Sequence, residues 1–348
     1  MNDGITIKPE FLEGFANGPR FAVWFTPSDS DPIGAVLCLQ PMGEEMSHSR
    51  RVLALQARRL ARLGWAVLMI DLYGCGDSPG DSDDATLGRW RADLLRATMH
   101  VRERATGSTI LWGTRVGALL AVDISAALVQ LVDALILWAP PPLGCTWLAS
   151  WRRLGSQENM ARVHARARAR RDQARTAHRP AGAAAGDISR PPSGAAGDLS
   201  GPPTDWPSTR FDTEPSPDTV IAAFSRPATV RSAPIMAVGR PDDEFEVIGG
   251  ARYLKSLISD IGELSLAPNR LSEAAGEPPA VLMVEMRAES QRSMVPSKML
   301  SVVAERWLDA GYLLTARTVH ARPFWSSVRA DNPVEVFEAT EQFIEGLR

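Results

Sequence analysis

The chain predicts an α/β protein built on a mostly parallel sheet with helices on both faces. Three observations predict it. Short apolar runs alternate with longer amphipathic ones along most of the sequence. The run WAVLMIDLY at 65–73 is continuously apolar, as expected of a strand covered on both faces. The alternation breaks off in the middle and resumes near residue 280, so an insertion divides a single sheet. With 348 residues and a hydrophobic share of 45%, the chain can bury a core of that size.

Taken in order, RFAVWFTP (20–27) and GAVLCLQP (34–41) read as strands. SHSRRVLALQARRLARLG (47–64) reads as a helix, because Val52, Leu53, Leu60 and Leu63 recur at helical spacing and Gly64 stands at the C-terminal cap position. After the strand at 65–73 come a helix over 86–105, the strand STILWG (108–113), a helix over 116–129 and the strand ALILWAP (134–140). Beyond the insertion lie AVLMVEM (280–286), a helix over 297–309, LLTARTVH (313–320) and a last helix over 333–347. The expected boundaries are 1–149 for the first part of the core, 150–278 for the insertion and 279–348 for the second part.

The insertion has two characters. Its first part reads as helical and is strongly basic, most densely at 162–179, with too few large apolar side chains for a membrane-surface helix. That run reads as a solvated face or tether, with an acidic partner as the other reading. Residues 180–207 are rich in Pro, Gly, Ala and Ser, and AAGDISRPP at 184–192 returns as AAGDLSGPP at 195–203. Such a segment buries too little apolar surface to offset its ordering entropy, so disorder is expected there. From 217 to 275 the composition is globular again, which suits a small cap.

Bulk chemistry removes several function classes. A formal net charge of −3 gives no global reason to expect nucleic acid. Cys38, Cys75 and Cys145 form neither a metal-like spacing nor a disulfide framework, and no cofactor motif is present. The start, MNDGITIKPEFLEGF, does not read as a signal peptide, and no apolar run approaches the roughly 18 residues of a membrane span. A cytoplasmic protein is expected.

Two motifs carry chemistry. DLYGCGDSPGD (71–81) is a glycine-rich turn after a buried strand, and LWGTRVG (111–117) spaces Gly113 and Gly117 as in the G-x-S-x-G nucleophile elbow, with Arg115 in the place of the serine. With His320 closing the last strand, these motifs resemble the α/β-hydrolase superfamily in order and spacing. The order is loop after the third strand, elbow after the fifth, cap after the sixth, acid after the seventh and histidine after the eighth. A narrower resemblance is carried by LQPMGEEMSHSRRVLALQARRLARLGWAVLMIDLYGCGDSPGD, LWGTRVGALLA and PFW at 323–325. These are similar to the bacterial exosortase A system-associated hydrolase 2 proteins, found beside PEP-CTERM sorting and exopolysaccharide machinery. The resemblance implies an α/β-hydrolase fold: a mostly parallel central sheet, flanking helices and a cap insertion after the sixth strand. It also implies that arginine at the elbow centre is a subfamily trait, while the proline-rich repeat departs from the pattern.

The same resemblance places candidate site residues. His320 takes the catalytic histidine position, and Glu289, or Glu285, lies near the acid loop. The backbone N–H groups of Met42 and Val116 stand where an oxyanion hole would form. Arg115 is no nucleophile, because a guanidinium does not give up its proton in a protein. Glu44 and Glu45, on the loop after the third strand, are candidates to pair with it, since an unpaired buried guanidinium is costly. Cys75 would substitute as nucleophile only by pointing into the site, while Cys38 reads as core. His320 as a polar strand end and Glu289 as a solvated loop carboxylate remain open.

Two functions follow. One is hydrolysis of an acyl ester or thioester, with His320 activating water and Arg115 polarising the carbonyl. The other is non-catalytic binding of an anionic small molecule or acyl carrier at a site where a helix N-terminus and a fixed cation coincide. Either way the expected partner is a small acyl or anionic ligand, with no metal.

Overall fold

The computed structural model describes residues 4–128, 130–156, 244–268, 279–288, 295–326 and 331–347. The strands are β1 (Ile5–Leu12), β2 (Arg20–Pro27), β3 (Gly34–Leu39), β4 (Trp65–Ile70), β5 (Thr109–Thr114), β6 (Ala134–Trp138), β7 (Phe245–Ile248), β8 (Ala251–Leu254), β9 (Ala280–Arg287) and β10 (Leu313–His320). Eight of them form one sheet in the order β1-β2-β4-β3-β5-β6-β9-β10, and β7 and β8 pair as a separate hairpin. Within the sheet β2 runs against both β1 and β4, and the other pairings are parallel. The helices are α1 (Gly43–Arg62), α2 (Leu87–Arg102), α3 (Val116–Ser125), α4 at 144–156, α5 (Lys255–Glu263), α6 (Lys298–Asp309) and α7 (Val334–Glu345).

Every residue of β3, β4, β5 and β6 is buried, which is why these strands read as unbroken apolar runs. On one face Val36, Cys38, Trp112, Trp138 and Val284 share a core with α1 and α7. The alternate residues, Leu37, Leu111, Leu137 and Met283, are equally buried and point to the other face by the pleat of the strand. There α2 and α3 pack on β3 to β6. The ring of Trp138 stands edge-on to Trp112 at 4.7 Å, and its Nε1–H donates to Thr340 Oγ1 at 2.9 Å, tying α7 to the middle of the sheet.

Most element positions agree with expectation, with one consequential difference. Helix α1 starts at Gly43 and not at 47, so Glu44 and Glu45 lie in its first turn and not on a loop. Carboxylates there face the partial positive charge of the helix N-terminus, which favours the earlier start. Two elements carry no clear sequence pattern: the edge strand β1, buried only near its ends, and the four-residue strands of the hairpin. The basic stretch at 162–179, the tract at 180–207 and Glu289 lie outside the described residues. Among those described, no helix is long and apolar enough to cross a membrane.

Candidate active site

The loop leaving β4 is folded around one carboxylate. Asp71 is buried and accepts from Arg50 Nη2 at 2.6 and 2.5 Å, from Gln40 Nε2 at 3.0 Å and from the Asp77 N–H at 3.0 Å. Gly76 passes directly over it with φ 57°, and a Cβ there would overlap the Asp71 carboxylate. The D-x-x-G-x-G spacing thus has a local cause: the chain doubles back over its own aspartate. The arrangement anchors the loop to the end of β3 and to α1, and leaves Asp71 no free oxygen for chemistry.

The elbow lies between β5 and α3. Arg115 has φ 57° and ψ −123°, a conformation that costs a non-glycine residue on the order of 1–3 kcal/mol. Two hydrogen bonds hold it: its N–H donates to Trp138 O at 3.0 Å, and its carbonyl accepts the Ala118 N–H at 3.0 Å. The flanking glycines permit the approach. A Cβ on Gly113 would collide with Gly117 O and the backbone of Ala118, and one on Gly117 with Leu39 O and Gln40 O. This is the sharp strand-to-helix turn that presents a side chain at the carboxyl edge of the sheet. Here the side chain presented is a guanidinium.

That guanidinium is already engaged. Arg115 Nη2 donates to Glu45 Oε1 at 3.2 Å and to Ser150 Oγ at 3.1 Å, and Nε donates to Glu45 Oε1 at 3.3 Å. The face of Trp325 lies 4.8 Å from its central carbon. Glu45 itself is 2% exposed, and its second oxygen takes the Trp147 Nε1–H at 2.8 Å. Burial pushes the Glu45 carboxyl above its ordinary value, and Arg115 and the Trp147 N–H offset only part of that rise. Above the pair, Trp147 stacks on Trp151 at 4.8 Å, Trp151 meets the edge of Tyr253 at 5.0 Å, and Trp151 Nε1–H donates to Glu44 Oε2 at 3.0 Å. Helix α4 therefore roofs both acidic residues of α1. The Arg115 side chain keeps 13% of its surface open, and Nη1 makes only a 3.4 Å contact with Ala139 O.

Met42 and Val116 lie near one another. Both are buried and line one cavity of about 20 Å³ beneath the elbow, room for a single water, with Gln40 and Cys75 also on its wall. The Cys75 thiol is pushed up to about 12 by burial, with Asp71 and Asp93 adding to the rise, so it is no thiolate at neutral pH. His320 ends β10 in register with Arg287, and its backbone N–H donates to Glu335 Oε2 of α7 at 2.8 Å. It does not figure among the groups that meet the Arg115 guanidinium. Glu285 is taken up structurally: it accepts from Arg287 at 3.1 Å, from Thr318 Oγ1 at 3.3 Å and from the Ser297 N–H at the start of α6 at 3.0 Å. Three contributors were not foreseen from sequence, namely Trp147, Ser150 and the Trp325 ring. The only sequence signal near any of them was the PFW run.

Known proteins resemble the chain in stretches of sequence and in fold. Residues 31–184, less than half of the chain, match the family model of the serine aminopeptidase S33 hydrolases. A stretch of 74 residues, 21% of this chain, is 38% identical to the human mitochondrial palmitoyl-protein thioesterase ABHD10, and its Pongo abelii counterpart is 36% identical over the same length. The match spans less than a quarter of those relatives, 23% of each. Among solved structures, a carboxylesterase of the thaumarchaeon Nitrososphaera gargenis superposes with a TM-score of 0.52 at 12% identity, covering 97% of this chain and 98% of that one. A thermostable carboxyl esterase from Bacillus coagulans gives 0.51 at 14% identity, covering 98% and 99%. Est1E from Butyrivibrio proteoclasticus gives 0.50 at 14%, covering 99% and 96%. At such identities the likeness shows the fold. The chain has the α/β-hydrolase fold and is a hydrolase-fold protein.

Proposed function

We propose that this protein binds an acyl or carboxylate-bearing small molecule at the mouth of the elbow and does not turn it over by a serine-type mechanism. The observation that carries the reading is Arg115 in the strained elbow conformation, with Glu45 as an internal counter-ion. A hydrolase of the serine type needs a side chain there that can lose a proton and attack. A guanidinium offers only donors, and the donor least engaged within the protein is Nη1. A ligand carbonyl or carboxylate oxygen would accept from it, beside the N–H groups of Met42 and Val116.

A second reading is hydrolysis of an acyl ester or thioester by an activated water. The local identity to a palmitoyl-protein thioesterase favours it. In that reading Arg115 polarises the carbonyl, and His320, with Glu289 as its acid, activates the water. Association with exosortase and exopolysaccharide systems, a cytoplasmic location, and a cap spanning 150–278 belong to the same proposal, resting on the sequence resemblance and on the sparse, unpaired cysteines.

The test is a panel of activated acyl esters and thioesters given to the full chain and to His320→Ala. No turnover in either, together with binding of a non-hydrolysable acyl analogue that weakens in Arg115→Ala, supports the binding reading. Turnover that disappears in His320→Ala supports the second.

A further inference from the structure

A second concavity lies apart from Arg115. One wall carries Leu143, just after β6; the other is the outer face of α6, with Lys298, Met299, Val302, Val303 and Arg306. Its volume of about 450 Å³ falls in the range of small-molecule sites, roughly 300–1,000 Å³. The first wall is fixed by backbone hydrogen bonds, Gly144 N–H to Leu264 O at 2.7 Å and Leu266 N–H to Pro142 O at 3.1 Å. Helix α6 is tied to it by Trp307, whose Nε1–H donates to Leu266 O at 2.8 Å. Both walls are therefore in place before any ligand arrives, which lowers the ordering cost of binding.

The chemistry of the lining is specific. Leu143, Met299 and Val302 are 44%, 37% and 41% exposed, an apolar strip that folding leaves uncovered. Positions 298, 302 and 306 share one face of α6 at four-residue intervals, so Lys298 and Arg306 bracket the strip about 12 Å apart along the helix. Among the described residues no carboxylate pairs with either cation; Glu305 and Asp309, the acidic residues of α6, do not line the groove. An apolar floor between two cations that no carboxylate pairs among the described residues is complementary to an anion with a long apolar tail.

We propose that this groove binds a long-chain acyl carboxylate, with its carboxylate on Lys298 and its chain lying along Met299, Val302 and Leu143 toward Arg306. The aliphatic stem of Arg306 extends the apolar wall, and its guanidinium adds to the attraction of the anion. None of the groups around Arg115 lines this groove, so the inference stands or falls separately from the reading of the elbow.

The experiment is calorimetric titration of the full chain with sodium dodecanoate below its micelle concentration, beside dodecyltrimethylammonium and anionic phospholipid vesicles. Lys298→Glu and Val302→Glu are made at exposed positions, with a thermal melt to verify folding, and Leu308→Glu, exposed on α6 but outside the groove, serves as the control. The expected result is binding of dodecanoate, weakened roughly tenfold or more in Lys298→Glu and in Val302→Glu. Leu308→Glu binds as the unaltered chain does, and the cationic amphiphile does not bind. Undiminished binding in Val302→Glu, an equal loss of binding in Leu308→Glu, equal binding of dodecyltrimethylammonium, or capture by vesicles alone would each overturn it.

Discussion

Glu45 and Arg115 meet at 3.2 Å over the carboxyl edge of the sheet, one in the first turn of α1 and the other at the turn into α3. The carboxylate is almost wholly removed from water and the guanidinium nearly so. Each justifies the other's burial, and together they fill the carboxyl edge of the sheet where β5 turns into α3.

Removing one partner should cost far more than the net worth of the pair. Glu45→Ala leaves a buried guanidinium without its counter-charge and should lower stability by about 3–5 kcal/mol. The double variant Glu45→Ala/Arg115→Ala should recover part of that loss, giving a coupling of about 1–3 kcal/mol. Denaturant unfolding of the four proteins checks it, and additive losses would show that the pair is not coupled.

The elbow glycines should tolerate no side chain. Gly117→Ala places a methyl group against the carbonyl oxygens of Leu39 and Gln40, which belong to the backbone and cannot swing aside. A loss of about 1–3 kcal/mol or more is expected, with an equal or larger effect for Gly113→Ala. Thermal unfolding measures it.

These glycines, and the arginine between them, were legible because local backbone geometry writes itself into spacing. The Glu45 partnership was half legible: two acidic residues after β3 were visible, but their place on a helix was not, since α1 starts without a side-chain cap that would mark it. The roof was not legible. Trp147 reaches Glu45 across 102 residues of sequence, and no periodicity connects them. Strand β1 escaped notice because an edge strand exposed along most of its length, here with Lys8, Pro9 and Glu10 in its middle, lacks the apolar run of its buried neighbours. For His320, strand position was legible, but which groups it faces depends on how the chain turns at 321–326.

The pair should also respond to acid. Burial raises the folded carboxyl of Glu45 above its unfolded value, so the native state takes up a proton between the two as pH falls. Protonation therefore favours the folded chain through this group, a contribution lost as pH rises through the folded value. It also neutralises the carboxylate that holds Arg115, with Glu44 as the neighbouring acid that adds to the rise. The affinity for ionised acetate should increase in the unaltered chain as pH falls from neutral through the folded value of Glu45. In Glu45→Gln it should be high and flat, and a persisting slope would assign the proton elsewhere.

The cysteines should separate into one reactive and two inert thiols. Cys145 is exposed, whereas burial raises Cys38 and holds Cys75 up at about 12. A disulfide-exchange reagent at pH 8 should label one thiol quickly in the native protein and three in denaturant. Rapid labelling of Cys75 would reopen its candidacy as a nucleophile.

The most direct test of the account is hydrolysis of p-nitrophenyl acyl esters and acyl thioesters by the full chain, with His320→Ala and Glu45→Gln alongside. An elbow that holds a guanidinium in place of a nucleophile predicts the same background rate for all three. Turnover by the unaltered chain that vanishes in His320→Ala would contradict it and would make this a water-activating hydrolase.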